Sequence, residues 1–150
     1  MSRGLGDVYK RQFYECTSLA LTALPPKLHT IQGEAFFECT SLALTVLPPN
    51  LETIGEKAFK RCTSLSLTAP PPNVETIGEK AFEECTNLAI TVLPPKLETI
   101  ESRAFARCTS LALTALPPKL EFIFYKAFFG CPSLSEAVKT SIRIKHSRAL

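Results

Sequence analysis

Six cysteines, two histidines and recurring hydroxyl side chains are the groups in this chain whose types could do chemistry. Cys16, Cys39, Cys62, Cys85, Cys108 and Cys131 could in principle bind zinc, form disulfides or supply a nucleophile, and each role demands its own spacing. Structural zinc sites use close Cys-x-x-Cys pairs, whereas here every step is 23 residues. His29 and His146 belong to no His-Glu-x-x-His run, and the chain has no Gly-x-Ser-x-Gly and no glycine-rich phosphate loop. The Thr-Ser pairs after the cysteines, such as Thr40-Ser41, have no base beside them and read as turn hydrogen-bonders. No catalytic residue, metal ligand or cofactor is assigned, and the expectation is that the chain is not an enzyme.

An even cysteine spacing marks a repeat, and alignment on the cysteine gives units at 16–38, 39–61, 62–84, 85–107 and 108–130, with a partial sixth from Cys131. Counting the cysteine as position 1, apolar residues fall at positions 1, 4, 6, 9, 13, 16, 20 and 21, as in Cys39, Leu42, Leu44, Leu47, Leu51, Ile54, Ala58 and Phe59. Alternation predicts a strand over Leu42–Leu47, ended by Pro48-Pro49, which offer no amide hydrogen. A second extended piece over Leu51–Ile54 follows. Glu56-Lys57-Ala58-Phe59 then favours one turn of α or 3₁₀ helix. One unit cannot fold alone. Ordering it costs on the order of 1–2 kcal/mol per residue, against roughly 1.5–3 kcal/mol from each of a few large apolar side chains. The predicted fold is therefore a solenoid: a right-handed coil of short parallel strands in which each unit buries its neighbour's apolar edge.

These units resemble the BspA-like leucine-rich repeats, whose 23-residue pattern is Cys-x-x-Leu-x-x-Ile-x-Ile-Pro-x-x-Leu-x-x-Ile-Gly-x-x-Ala-Phe. The resemblance covers about residues 13–134, and Ile-Gly-Glu-Lys-Ala-Phe at 54–59 and 77–82 carries it most specifically. One departure is regular: position 7 holds Thr22, Thr45, Thr68, Thr91 and Thr114, and the apolar residue sits at position 6. The resemblance implies protein interaction or adhesion and no shared catalytic activity.

The pattern runs through 13–131, with Phe13 filling the last core slot of an earlier unit. Residues 1–12 fit nothing in it and read as a non-native or disordered leader. Residues 132–150 leave it. Ser133 and Glu136 have capping-box spacing, and Leu134, Val138 and Ile142 share one helical face, so this segment is either a capping helix or a tail. The array reads as a fragment of a longer one.

Stacked thiols would lie about 4.8 Å apart, within the Cα range of a disulfide, but parallel side chains keep Cβ atoms from closing to about 3.8 Å. Buried reduced thiols are expected. Charged residues also form rows: Glu52, Glu75, Glu98 and Glu121; Lys57, Lys80, Arg103 and Lys126; and, alternating in sign at position 23, Glu38, Arg61, Glu84 and Arg107. They read as register and solubility devices. Pro70, in place of a core Leu, makes the third unit the expected weak point.

The fifth unit is the odd one, with Phe122, Phe124, Tyr125 and Phe129 where its siblings carry mostly polar residues or Gly. Such a group is either a ligand-binding patch or a dock for the C-terminal segment. Net charge narrows the partner. Of the chain's +3, residues 1–12 carry +2 and residues 132–150 carry +3, leaving −2 on the repeats. A nucleic-acid binder would hold its positive charge on the body. No apolar run reaches the length of a membrane-spanning helix. The expected function is binding of a protein or cell-surface ligand. The alternative is a spacer or targeting segment of a larger protein whose activity lies outside this chain.

Overall fold

The computed structural model describes residues 8–9 and 13–150. The leader expected over 1–12 thus falls almost wholly outside the described residues; of it, only the backbone of Val8–Tyr9 is placed. Six two-residue strands, β1 (Val8–Tyr9), β2 (Thr30–Ile31), β3 (Thr53–Ile54), β4 (Thr76–Ile77), β5 (Thr99–Ile100) and β6 (Phe122–Ile123), pair in parallel in chain order. From β2 onward, each residue faces the one a full unit later: Thr30 lies opposite Thr53, and Ile54 opposite Ile77. The repeats stack as a solenoid.

The paired strand is the second extended piece and not the predicted Leu42–Leu47 segment. That first segment buries Leu42, Leu44 and Leu47, yet its inter-rung bonds are sporadic, as in Ser66 N to Leu44 O at 3.2 Å and Thr114 N to Thr91 O at 3.1 Å. A ladder needs an unbroken run of donors, and the proline pair ends this run at once. Glu-Thr-Ile-Gly has no such gap. Glu52 N and Thr53 N both donate to His29 O, and Gly55 N donates to Ile31 O at 2.7 Å.

The predicted helical turn is also replaced, by a zigzag of turns. Positions 19 and 23 lie in the left-handed region in nearly every rung, at Glu15, Glu34, Glu38, Lys57, Arg61, Lys80, Glu84, Arg103, Arg107 and Lys126, with φ between 52° and 62°. This conformation costs an L-residue roughly 1–2 kcal/mol. The compensation is direct, because nine of these ten amides donate to a carbonyl of the next rung, for example Lys57 N to Glu79 O and Arg61 N to Glu83 O, both at 2.8 Å, and the tenth, Lys126 N, to Arg148 O of the C-terminal tail. Position 21 does the same, as in Phe59 N to Ala81 O. Between these forward bonds lie isolated four-residue turns, such as Ala58 N to Gly55 O and Lys60 N to Lys57 O. A helix would use those amides internally and lose the link between rungs.

Inside, Phe13, Phe36, Phe59, Phe82, Phe105 and Phe128 form a stacked column, with ring centroids 5.3 to 5.5 Å apart and planes within 12° of parallel. Beside it runs the thiol column. Cys62 Sγ donates to Phe36 O, Cys85 Sγ to Phe59 O and Cys108 Sγ to Phe82 O, each at 3.0 Å. Each of these carbonyls also accepts the amide of the cysteine in its own turn, as Phe59 O does from Cys62 N at 3.0 Å. Both lone pairs of a buried oxygen are thereby used, which explains a small buried donor at position 1. The register at positions 6 and 7 is equally plain. Leu44, Leu67, Ile90 and Leu113 are buried, and Thr45, Thr68, Thr91 and Thr114 are exposed.

After Leu134 the chain enters α1 (Glu136–Lys145), which buries Val138 and Ile142. Its N-cap is Ser135, whose hydroxyl accepts Val138 N at 3.3 Å. The Ser133 side chain of the expected capping box instead donates to Thr109 O. Beyond the helix the chain returns to the turn side. There Lys126 N and Phe128 N donate to Arg148 O at 2.6 Å and Ala149 O at 2.7 Å, and Ala149 is buried.

Candidate ligand-binding surface

Alternation across β6 turns Ile123 into the core and leaves Phe122 and Phe124 outward, 53% and 44% exposed. In the other rungs these two places hold Thr30, Thr53, Thr76 and Thr99, and Gln32, Gly55, Gly78 and Glu101. Tyr125 and Phe129 are 52% and 39% exposed. The structure sorts the four aromatics into two pairs. Phe122 and Phe124 have centroids 6.4 Å apart. Tyr125 and Phe129 are bridged by Lys126, whose Nζ lies 5.1 Å from one ring centroid and 5.0 Å from the other, a cation–π arrangement. All four rings stay exposed, while the returning C-terminal tail meets the backbone of the same rung at Lys126 and Phe128.

The chemistry-bearing residues lie elsewhere. All six cysteines are free thiols, and only Cys16 is exposed. Burial pushes the thiols of Cys39 and Cys131 up to about 11 and raises those of Cys62, Cys85 and Cys108 as well. A buried neutral thiol is neither a nucleophile nor a metal ligand. His29 Nδ1 lies 3.9 Å from Glu52 at the surface, and His146 caps the end of α1. Among the described residues no group of three or more His, Cys, Asp or Glu side chains could hold a metal ion. No described helix is long and apolar enough to cross a membrane.

The charged columns knit neighbouring rungs together. Arg61 bridges Glu38 at 2.6 Å and Glu84 at 2.7 Å, and Arg107 reaches Glu84 at 3.2 Å, so the alternating column is one continuous chain of ion pairs. Burial opposes the charge on Glu84, but the two guanidiniums outweigh it and hold its carboxyl below the usual range. Lys57 pairs with Glu34 at 3.5 Å and Glu56 at 3.1 Å, not with the row containing Glu52. Lys60 reaches the buried Glu83 carboxylate at 3.0 Å.

The model of the BspA-type leucine-rich repeat region matches residues 6–135 in six copies. The chain belongs to this family. Its fold is shared with a leucine-rich repeat protein of T. pallidum at 34% identity and a TM-score of 0.82, over 93% of this chain and 66% of that one. A leucine-rich cell surface protein of Faecalibacterium prausnitzii is 32% identical with a TM-score of 0.66, over 82% of this chain and 33% of its own. A leucine-rich repeat protein of Bacteroides ovatus is 34% identical with a TM-score of 0.62, over 80% and 31%. This BspA-type chain thus spans less than two thirds of the length of these relatives. No curated protein sequence matches it.

Proposed function

We propose that this BspA-type array is a non-catalytic binding module for a protein or cell-surface ligand, and that Phe122, Phe124, Tyr125 and Phe129 form its contact patch. One observation carries the reading: four large aromatic side chains stand 39–53% exposed on a single rung, at positions that elsewhere hold mainly small or polar residues. Aromatic rings on rigid backbone offer large contact area at little entropic cost, and they dominate protein interfaces. The solenoid supplies that rigidity. The body's slight negative charge argues against a nucleic-acid partner. The relative from Faecalibacterium is a cell surface protein, which supports a ligand met at a surface.

The test returns the fifth rung to residues its siblings carry, as F122T/F124G/Y125E/F129K, and compares affinity capture by the two forms from the cell of origin and its surroundings. A partner retained by the natural array and lost by the variant supports the patch. Equal capture by both overturns it.

A further inference from the structure

The C-terminal end of the stack is closed on one side and open on the other. On the turn side the returning tail takes the place of a further rung, and over the first extended segment the sixth unit begins, with Ser135 N donating to Leu113 O at 3.5 Å and Leu111 and Leu113 fully buried. On the strand side the core columns come to the surface. Leu97 and Ile100 are fully buried, while Leu120, one rung on, is only half-buried and Ile123 shows the most exposure in its column. No Cα of α1 comes within 8 Å of a Cα in β6. Between them lies a groove of about 450 Å³, lined by Leu116, Leu120 and Ile123 on one wall and by Ala137, Ser141 and Lys145 on the other.

The edge of β6 carries the acceptors of an unfinished ladder. Glu98 O receives Glu121 N at 2.9 Å and Phe122 N at 3.1 Å, and Ile100 O receives Phe124 N at 2.9 Å. The corresponding oxygens one rung later are Glu121 O and Ile123 O, and no described residue donates to them. Sheet edges of this kind take up extended peptides, with main-chain bonds for affinity and side-chain pockets for specificity.

We propose that the β6 edge and its groove bind one extended peptide in parallel register, of the form Leu-x-x-Ile followed by an acidic residue. The array's own spacing specifies the aliphatic residues, because positions 13 and 16 are what Leu120 and Ile123 stack against in every other rung. Charge specifies the polarity. Glu121 flanks the start of β6, and Lys145 lines the groove where α1 ends, in a segment of net charge +3. An acidic residue is therefore better placed at the C-terminal end of a parallel strand, away from Glu121, in a groove that carries a cation. The proposal does not rest on the aromatic patch: the patch uses the outward side chains of this rung, and the peptide its backbone and inward face.

The probe is acetyl-Lys-Leu-Glu-Thr-Ile-Glu-amide, the sequence of residues 96–101, titrated against the whole chain by fluorescence polarisation. Methylating the amide nitrogens of its third, fourth and sixth residues removes the donors and should weaken binding by roughly tenfold or more. Ser141→Trp, which fills the groove, should do likewise, and Lys145→Glu should weaken binding by roughly threefold to tenfold. The reversed sequence should not compete. Methylated and parent peptides binding alike, or no binding up to about 1 mM, overturns the proposal; the peptide arm stands even if Ser141→Trp misfolds. Concentration-dependent self-association that the peptide displaces would assign the edge to a second copy of the chain, and would overturn the choice of a separate peptide.

Discussion

Gly78→Ala should destabilise the array although it adds one methyl group to a strand end. An ideal Cβ at Gly78 lies 2.7 Å from Gly55 C, 2.8 Å from Glu56 N and 2.9 Å from Ile54 O, all backbone atoms of the preceding rung. Ordinary carbon contacts need about 3.5–4.0 Å, so the two rungs must separate by the better part of an ångström or twist apart. The Gly78 N to Ile54 O bond at 2.8 Å sits on the same spot and stretches with them. Overpacking of this kind costs about 1–3 kcal/mol, and the entropy lost from the unfolded chain on replacing glycine gives back about 0.4–1 kcal/mol. The net expectation is a loss of about 1–2 kcal/mol, or a fall of roughly 2–8 °C in midpoint for a chain of this size. Thermal unfolding by circular dichroism reads the loss. Hydrogen exchange localises it, with faster exchange at the amides of Gly78 and Glu101. Glu101→Ala is the control: that position already carries a side chain one rung later, and the change should stay within about 0.5 kcal/mol. A Gly78→Ala protein as stable as the parent, or an equal loss in Glu101→Ala, would refute the close-approach argument.

Pro70→Leu should stabilise by about 0.5–1 kcal/mol, since an apolar void of about 10 Å³ lies beside Pro70 and no rung bonds its position 9 amide, so only packing is at stake; a lower midpoint on denaturant titration counts against this. Acid should weaken the array through Glu84. Its folded-state pKa is depressed, so its contribution is present at neutral pH and is lost as pH falls through the carboxylate range; Glu84→Gln should flatten stability measured against pH there. Alkali should weaken it through the thiols. Cys39 and Cys131 titrate near 11 when folded, so stability is full below the ordinary thiol value of 9.0 and falls as pH rises toward 11, and Cys39→Ala/Cys131→Ala should reduce that slope.

The unit length, the buried columns and the Thr at position 7 could be read from spacing, because a repeated hydrophobic pattern is a direct image of what faces inward. Local backbone geometry was less legible. Alternation at Leu42–Leu44 imitates a strand as well as Thr53–Ile54 does, and only the demand for uninterrupted donors separates them. The left-handed residues left no signal, since that conformation is ordinarily marked by Gly or Asn and here falls on Glu, Lys and Arg. Their stabilisation comes from the next rung, which no single unit contains. The aromatic positions of rung five stood out by contrast with their siblings, but their division into two pairs around Lys126 depends on side-chain directions. The open edge of β6 was invisible, because it results from the chain turning into α1 after Ser135 in place of a second extended piece, which leaves Leu120 only half-buried.

The cysteine column turns the molecule into its own gauge of opening. One thiol sits in each turn, a fixed 23 residues from the next, sealed by the layers above and below and far from its reactive form. A brief pulse of an alkylating reagent would mark Cys16 in the intact stack and each further sulfur only when its layer loosens. Intact-mass spectra would then count loosened layers, and peptide maps would say from which end the stack comes apart.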